Sequence, residues 1–289
     1  MAGERVTVLG TGNMGGPMAR YLLEAGCQVT VWNRSAEKTR SLAEAGARVA
    51  ATPAEAVEGA AVIITMVSTG EVVASLIEQA ASRLPAGAVW IDMSSTNPEL
   101  ARGHAGTLRG YGVDFLDAPV SGGTAGARAG TLAIMVGGEG GIFERVKDVL
   151  AALGRPTLVG PVGSGQLAKL CNQVIVAVTI GAVSEALLLA ARGGADPAAV
   201  REALSGGFAE SRILREHGTR ILERNFEPGG TARYQLKDLD SALAAAGACD
   251  LDLPVTGLIR SLFAQLCESG RADLDHSALV LELERRNES

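Results

Sequence analysis

A strand that breaks into Gly10-Thr11-Gly12-Asn13-Met14-Gly15 constrains this chain more than any other stretch. The apolar alternation Val6-Thr7-Val8-Leu9 runs straight into the spacing Gly-x-Gly-x-x-Gly, and Met18, Leu22 and Leu23 follow at helical intervals. In a strand–turn–helix setting each glycine has a task. Gly10 permits the tight turn, Gly12 lets backbone approach a pyrophosphate, and Gly15 lets the new helix pack on the strand. The N–H groups of the helix start then face the phosphates. A ligand-free glycine turn is the alternative, and the position between a strand and an amphipathic helix favours the dinucleotide.

With 289 residues the chain exceeds what one ordinary core needs, so two domains are expected. Its 47% apolar and 20% charged residues describe a folded protein, and a net charge of −6 without any Lys/Arg block gives no footprint for nucleic acid. The apolar run Val174–Val183 is too short before Glu185 to span a membrane, and the start of the chain lacks a secretory apolar region. Cys27, Cys171, Cys249 and Cys267 form no C-x-x-C pair, and His104, His217 and His276 lack ligand spacing. No metal site or disulfide is expected, and a reducing cytoplasm fits.

Short apolar runs alternate with helical patterns through the first half. Strands are expected at Val6–Gly10, Gln28–Trp32, Val62–Met66, Val89–Asp92, Asp114–Leu116 and Leu132–Val136. This is the pattern of an α/β fold, a Rossmann-type doubly wound parallel sheet over residues 1–162. Residues 163–289 read as all-α, with helices at Pro197–Leu204, Ala209–Arg224, Gln235–Ala246, Pro254–Glu268 and Ser277–Arg286. A helix from Gly163 to about Arg192 joins the halves; apolar on most faces, it is expected to be buried.

Ligands of such sheets lie beyond the carboxyl ends of the strands. At the end of the second strand an NAD site places an acid, whereas this chain reads Asn33-Arg34-Ser35. A neutral Asn33 removes the repulsion of a 2′-phosphate, the Arg34 fork pairs with it, and Ser35 adds a hydroxyl, so NADP(H) is expected over NAD(H). The alternative makes Asn33 and Ser35 caps of a helix Ala36–Ala45 and Arg34 a surface charge; Ser35 is expected to cap in either case. Met66, Val67 and Ser95, after later strands, are candidates for the nicotinamide side, with an ordinary polar loop or helix cap as the competing reading.

Ser121-Gly122-Gly123 exposes backbone N–H groups and a hydroxyl, equipment for gripping a small carboxylate, or else a simple turn. Lys169 lies about one turn into the helix that Gly163 and Gly165 open, with Asn172 and Gln173 at i+3 and i+4 on the same face. A lysine there either snorkels to the surface or serves a site; the polar pair beside it favours the site.

Taken together, GTGNMGGPMA, DAPVSGGTAGARAGTLAIMVGG, GSGQLAKLCNQVIVAVTIGAVSEALLLA and YQLKDLDSAL, in this order, resemble the β-hydroxyacid dehydrogenase family, 3-hydroxyisobutyrate dehydrogenase-like. The resemblance covers essentially the whole chain, and KLCNQVIVAV, RNFEPG and DHSAL look most like its tartronate semialdehyde reductase branch. It implies an NAD(P) domain followed by a helical domain with the site between them. The family's catalytic lysine falls on Lys169, its substrate-binding Ser-Gly-Gly on Ser121, Gly122 and Gly123, its amide on Asn172 with Gln173 beside it, and its late cofactor-side lysine on Lys237. A homodimer or homotetramer is implied as well. Many members have Asn-Asn at Asn172-Gln173, NAD-using members have Asp at Asn33, and a proline is common at Ser68.

The chemistry expected is interconversion of a small carboxylate-bearing semialdehyde and its hydroxyacid, of the tartronate semialdehyde, succinate semialdehyde/glyoxylate or 3-hydroxyisobutyrate type. Lys169 is expected as the general acid/base, a role that requires its surroundings to lower its pKa. Imine reductases share the architecture but usually lack both the lysine and the Ser-Gly-Gly clamp. A non-catalytic NADP-binding scaffold or sensor is the third reading, against which the intact Lys169 stands.

Overall fold

Strand β1 (Arg5–Leu9) is buried from Val6 onward, and its buried Thr7 hydroxyl donates to Ala56 O at 2.6 Å. In a computed structural model that describes residues 3–288, β1 belongs to a nine-stranded sheet. The other strands are β2 (Gln28–Trp32), β3 (Arg48–Val49), β4 (Val62–Thr65), β5 (Val89–Asp92), β6 (Asp114–Asp117), β7 (Val120–Ser121), β8 (Leu132–Gly137) and β9 (Gly154–Gly160). Their order is β3-β2-β1-β4-β5-β6-β8-β7, with β9 along β8. Strands β1 to β6 pair in parallel, and the order reverses between β1 and β4. That switch point makes the crevice in which doubly wound sheets take their ligands.

Alternate strand residues feed two apolar layers. Val6, Val8, Ile64 and Ile91 cluster with Met18 and Leu22 of the helix Gly15–Glu24, while Leu9, Ile63 and Trp90 cluster with Val73, Ile77 and Leu108. The doubly wound architecture is as expected, with local departures. β8 runs antiparallel to β6 and β7, so the sheet is not parallel throughout. β3 and β7 are two residues long, and β9 opens on Gly-Arg-Pro and is mostly exposed, so none of the three carries an apolar pattern to read. The helix expected over 36–45 is instead a 3₁₀ turn (Ala36–Thr39) and a short α-helix (Arg40–Glu44). Ser35 stands at the cap position, but its side chain makes no capping bond; its carbonyl accepts from Asn33 Nδ2 at 3.0 Å. The expected Ser35 cap is therefore absent.

The chain divides into two compact units, one ending at Lys169 and one beginning at Leu170. The second is helical: Pro197–Leu204, Arg212–Leu222, Ala232–Gly247, Pro254–Leu266 and Leu279–Arg286, with the body of the helix Ser164–Arg192. Ser211 Oγ accepts from Leu214 N at 2.9 Å, which starts the second of these later than the expected Ala209. Ala177 and Ile180 of the central helix cluster with Leu239, Ile259, Phe263 and Leu279. Gly181 lies so close to Ile259 that a Cβ would stand 2.5 Å from its Cδ1.

The central helix corrects two expectations. At 29 residues, with a mean hydropathy of 2.3 in its most apolar window, it is long and apolar enough by length and composition to cross a membrane. Yet only 33% of that window is buried, so the helix is not enclosed on all faces. Ala177, Ile180, Val183 and Leu187 point inward, whereas Cys171, Ile175, Ala182, Ala186 and Leu189 form an exposed stripe.

One buried carboxylate organises the far end of this unit. Asp275 Oδ2 accepts from Gly229 N at 2.9 Å and Gly230 N at 3.2 Å, and Oδ1 accepts from Ser277 N and Oγ. Burial works to raise its pKa, but the His217 and His276 imidazoles and the Ser277 donors outweigh it, holding the carboxyl well below the usual range.

Candidate active site

The glycine turn shows which of its glycines the fold itself demands. Gly10 has φ +100°, and a Cβ there would lie 2.4 Å from Met66 O; a Cβ on Gly15 would lie 1.9 Å from Gly10 O. Gly12 is different, because a Cβ there would meet nothing within 4 Å. The protein does not need that space, whereas a pyrophosphate approaching the backbone does. The helix Gly15–Glu24 has no side-chain cap and no acid in its first turn, so its N-terminus fits an anion. These residues fit a bound dinucleotide.

Around the turn the expected residues divide into those facing inward and those facing out. Thr11 is buried, its N–H donating to Asn33 Oδ1 at 3.0 Å and its hydroxyl to Lys38 O at 3.2 Å. Thr11 and Asn33 thus brace the turn against the end of β2. Arg34 is exposed, makes no ion pair among the described residues, and lines a cavity of about 380 Å³ with Trp32, Asn33 and Val49. Lys38, which the sequence reading left out, lines a second cavity of about 450 Å³ with Gly12, Asn13, Arg20 and Arg128. A cation four residues beyond Arg34 was the available signal. Asn13 is exposed and Met14 half-buried, and Met66 and Val67 flank Gly10 across the switch point.

Beneath the loops lies a buried polar network absent from the sequence reading. Asp92 Oδ1 accepts from Thr65 Oγ1 at 2.9 Å and from Ser94 N at 3.0 Å, and Oδ2 is buried with no hydrogen-bond partner among the described residues. Ser94 Oγ accepts from Val67 N at 3.0 Å, tying the β4 and β5 loops together, while Ser95 stays half-buried. Asp117 pairs in register with Asp92 on the neighbouring strand. Burial pushes the Asp92 carboxyl up to about 6, and burial raises Asp117 too. Such residues escape a pattern reading because an acid ending an apolar run looks like a loop boundary.

The Ser121-Gly122-Gly123 loop and Lys169 belong to the same unit as the glycine turn. Ser121 is half-buried at the end of β7; Gly122 and Gly123 have φ +136° and +60°, and a Cβ on Gly123 would meet nothing within 4 Å. Lys169 is half-buried rather than enclosed. In the second unit, Asn172 Nδ2 donates to Gln173 Oε1 at 2.8 Å, and Gln173 Nε2 donates to Asp238 Oδ2 at 2.8 Å. Lys237 Nζ lies 3.7 Å from Asp238 Oδ1, so two motifs 65 residues apart form one polar chain. His217, Asp275 and His276 bring ligand-type atoms within 4.8 Å of one another. Both Asp275 oxygens already accept backbone N–H groups, so that cluster reads as an anchor.

Comparison with known proteins agrees with this geometry. The family described as the NAD-binding domain of 6-phosphogluconate dehydrogenase matches residues 5–189. The one described as NAD-binding of NADP-dependent 3-hydroxyisobutyrate dehydrogenase matches residues 163–283. The chain is 45% identical to 2-hydroxy-3-oxopropionate reductase of Escherichia coli over 96% of both chains. It is 36% identical to a 3-hydroxyisobutyrate dehydrogenase of Pseudomonas aeruginosa over 95% of both. The solved structure of Mycobacterium tuberculosis 3-hydroxyisobutyrate dehydrogenase with L-serine superposes with a TM-score of 0.89 at 32% identity, covering 98% of this chain and 99% of that one. Fold and relatives define an NAD(P)-dependent dehydrogenase of hydroxyacids. The chain belongs to the 3-hydroxyisobutyrate dehydrogenase-like branch of the β-hydroxyacid dehydrogenase family.

The Asp92 shift makes a stability prediction. A carboxyl whose folded pKa is raised stabilises the fold fully below its unfolded pKa and loses that contribution as pH rises through its folded pKa. Relative to Asp92→Asn, the native chain should therefore lose stability on the order of 2–3 kcal/mol between about pH 4 and pH 7. Urea unfolding of both proteins across that window checks it; a difference that does not vary with pH counts against a buried, protonated Asp92.

Proposed function

We propose that the enzyme is an NADP(H)-preferring reductase of a small carboxylate-bearing semialdehyde, with tartronate semialdehyde (2-hydroxy-3-oxopropionate) the leading substrate and Lys169 the acid–base residue. The observation that carries the reading is one compact unit containing an open glycine turn, a Ser-Gly-Gly loop and Lys169. The 45% identity to a 2-hydroxy-3-oxopropionate reductase supports the substrate.

When bound, the nicotinamide supplies a hydride to a carbonyl or accepts one from a hydroxyacid. Gly12, Asn13, Met14 and the N-terminus of the first helix hold the pyrophosphate, and Arg34, with Ser35 and Lys38 nearby, receives the 2′-phosphate. Met66, Val67 and Ser95 attend the nicotinamide side, and Lys237 is taken as the cofactor-side lysine that the family resemblance implies. Ser121 and the Gly122–Gly123 N–H groups grip the substrate carboxylate, which fixes the carbonyl. The Lys169 ammonium donates to the carbonyl oxygen and delivers a proton as charge builds there; its neutral form removes one in the reverse direction. Asn172 steadies the lysine or the substrate hydroxyl, and Gln173 holds Asp238 beside Lys237.

Lys169→Ala should lower kcat by about 10²- to 10⁴-fold and leave the NADPH Kd within about threefold; a fully active variant refutes the assignment. Arg34→Ala should raise the KM for NADPH by about 10- to 100-fold with NADH unaffected, the loss expected of a charged hydrogen bond. Equal effects on both cofactors would return Arg34 to the surface.

A homodimer or homotetramer is the proposed assembly, with the exposed stripe of the central helix against a second copy. Ile175 and Leu189 are 66% and 75% exposed, and together with Cys171, Ala182 and Ala186 they make an apolar face that monomers seldom leave in water. Ile175→Glu should shift the mass measured by sedimentation toward the monomer. An unchanged mass would place the interface elsewhere.

A further inference from the structure

Several helices in this protein are capped by the side chain of the residue just before them, as Thr69 caps Gly70–Ala80, Asn97 caps Pro98–Arg109 and Thr231 caps Ala232–Gly247. The central helix is held differently. Asp117, the last residue of β6 and fully buried, accepts from Gly163 N at 2.7 Å through Oδ1 and from Gln166 N at 2.8 Å through Oδ2. The cap thus comes from a strand end 46 residues upstream, and it is a carboxylate where a hydroxyl would satisfy the N–H groups. Two glycines admit the approach. A Cβ on Gly137 would lie 2.5 Å from Asp117 Oδ1, and one on Gly165 would lie 2.4 Å from Met135 O and 2.5 Å from Asp117 O.

Gln166 supplies the second attachment. It is fully buried; its Oε1 accepts from Thr96 N at 2.9 Å and its Nε2 donates to Ser94 O at 2.9 Å. The first turn of the helix is therefore fixed to the ends of two adjacent strands. Asp117 lies at the root of the loop that carries Ser121–Gly123, and Gln166 grips the loop that carries Ser94–Thr96. Lys169 follows Gln166 by three residues, on the neighbouring position of the same helical face. Buried carboxylate and carboxamide groups are costly unless every partner is in place. Here every bond that meets the cost also sets where the lysine-bearing turn begins.

We propose that Asp117 and Gln166 are positioning residues for the reaction: they fix the backbone of Lys169 against the Ser94–Thr96 and Ser121–Gly123 loops. The inference rests on Lys169 being the acid–base residue. Misplacement of a reacting group by about 1 Å costs about 10²-fold in rate, so a loosened turn is read in kcat and not in cofactor affinity.

The test uses the full chain, NADPH and tartronate semialdehyde, with active sites titrated by NADPH binding so that kcat is expressed per binding-competent site. Gln166→Met keeps the side-chain volume and removes both hydrogen bonds, and Asp117→Asn keeps one acceptor while setting an amide donor against an N–H. Each should lower kcat per site by about 10- to 100-fold, leaving the NADPH Kd and the substrate KM within about threefold. Asp117→Ala should fall below Asp117→Asn. A role confined to stability would lower the fraction of competent sites and spare kcat per site. The inference is overturned if Gln166→Met, or Asp117→Asn should the former not fold, keeps kcat per site within about twofold of the native enzyme while Lys169→Ala is inactive. If Lys169→Ala itself remains active, the reading of the lysine falls first and takes this inference with it.

Discussion

The carbonyl of Gly10 leaves no room for a side chain at position 15, and much of the first unit follows from that contact. Because the helix Gly15–Glu24 starts directly over the end of β1, its free N–H groups lie at the mouth of the switch point, with Met66 and Val67 on the other side. Moving the helix outward by one methyl group would separate the anion-binding turn from the crevice that takes the rest of the dinucleotide. Sheet order, helix position and cofactor chemistry therefore share one steric requirement.

A second requirement acts at the start of the central helix. The polar groups that hold the first turn of the central helix come from the loop after β5, the end of β6 and the helix itself, so that turn inherits the rigidity of the sheet. Asn172, Gln173, Asp238 and Lys237 form their own chain in the helical unit. The proposed machinery is thus divided: cofactor turn, carboxylate loop and lysine in one unit, amides and the late lysine in the other. One helix carries residues of both sets on consecutive turns.

The sequence made legible whatever is encoded locally. The glycine turn, the β1, β2, β4, β5 and β6 strands and the long helix all announce themselves within a dozen or so residues, because period and turn chemistry are short-range. What escaped depends on partners far away. Asp117 and Gln166 take their meaning from residues 46 to 72 positions distant, and no window reveals that. Ser35 looks like a cap by its neighbours, yet Asn33 claims its carbonyl and a 3₁₀ turn follows. The long helix was readable as a helix but not as only partly covered, since composition reports apolarity without saying what lies against it.

The Asp275 anchor bears on the order in which the chain completes itself. The bonds from Asp117 and the Ser94–Thr96 loop to the central helix need nothing beyond Gln166, so they can form while later residues are still being added. The turn at Gly229–Gly230 is in another position: its N–H groups wait for a carboxylate 45 residues downstream, and Ala232 N likewise waits for Leu274 O. The helix that bears Lys237, capped locally by Thr231, is thus tied at its start to the last elements to emerge as well. Synthesis from the amino end delivers the glycine turn and its sheet well before the residues around Leu274 and Asp275 that brace the Gly229–Ala232 segment.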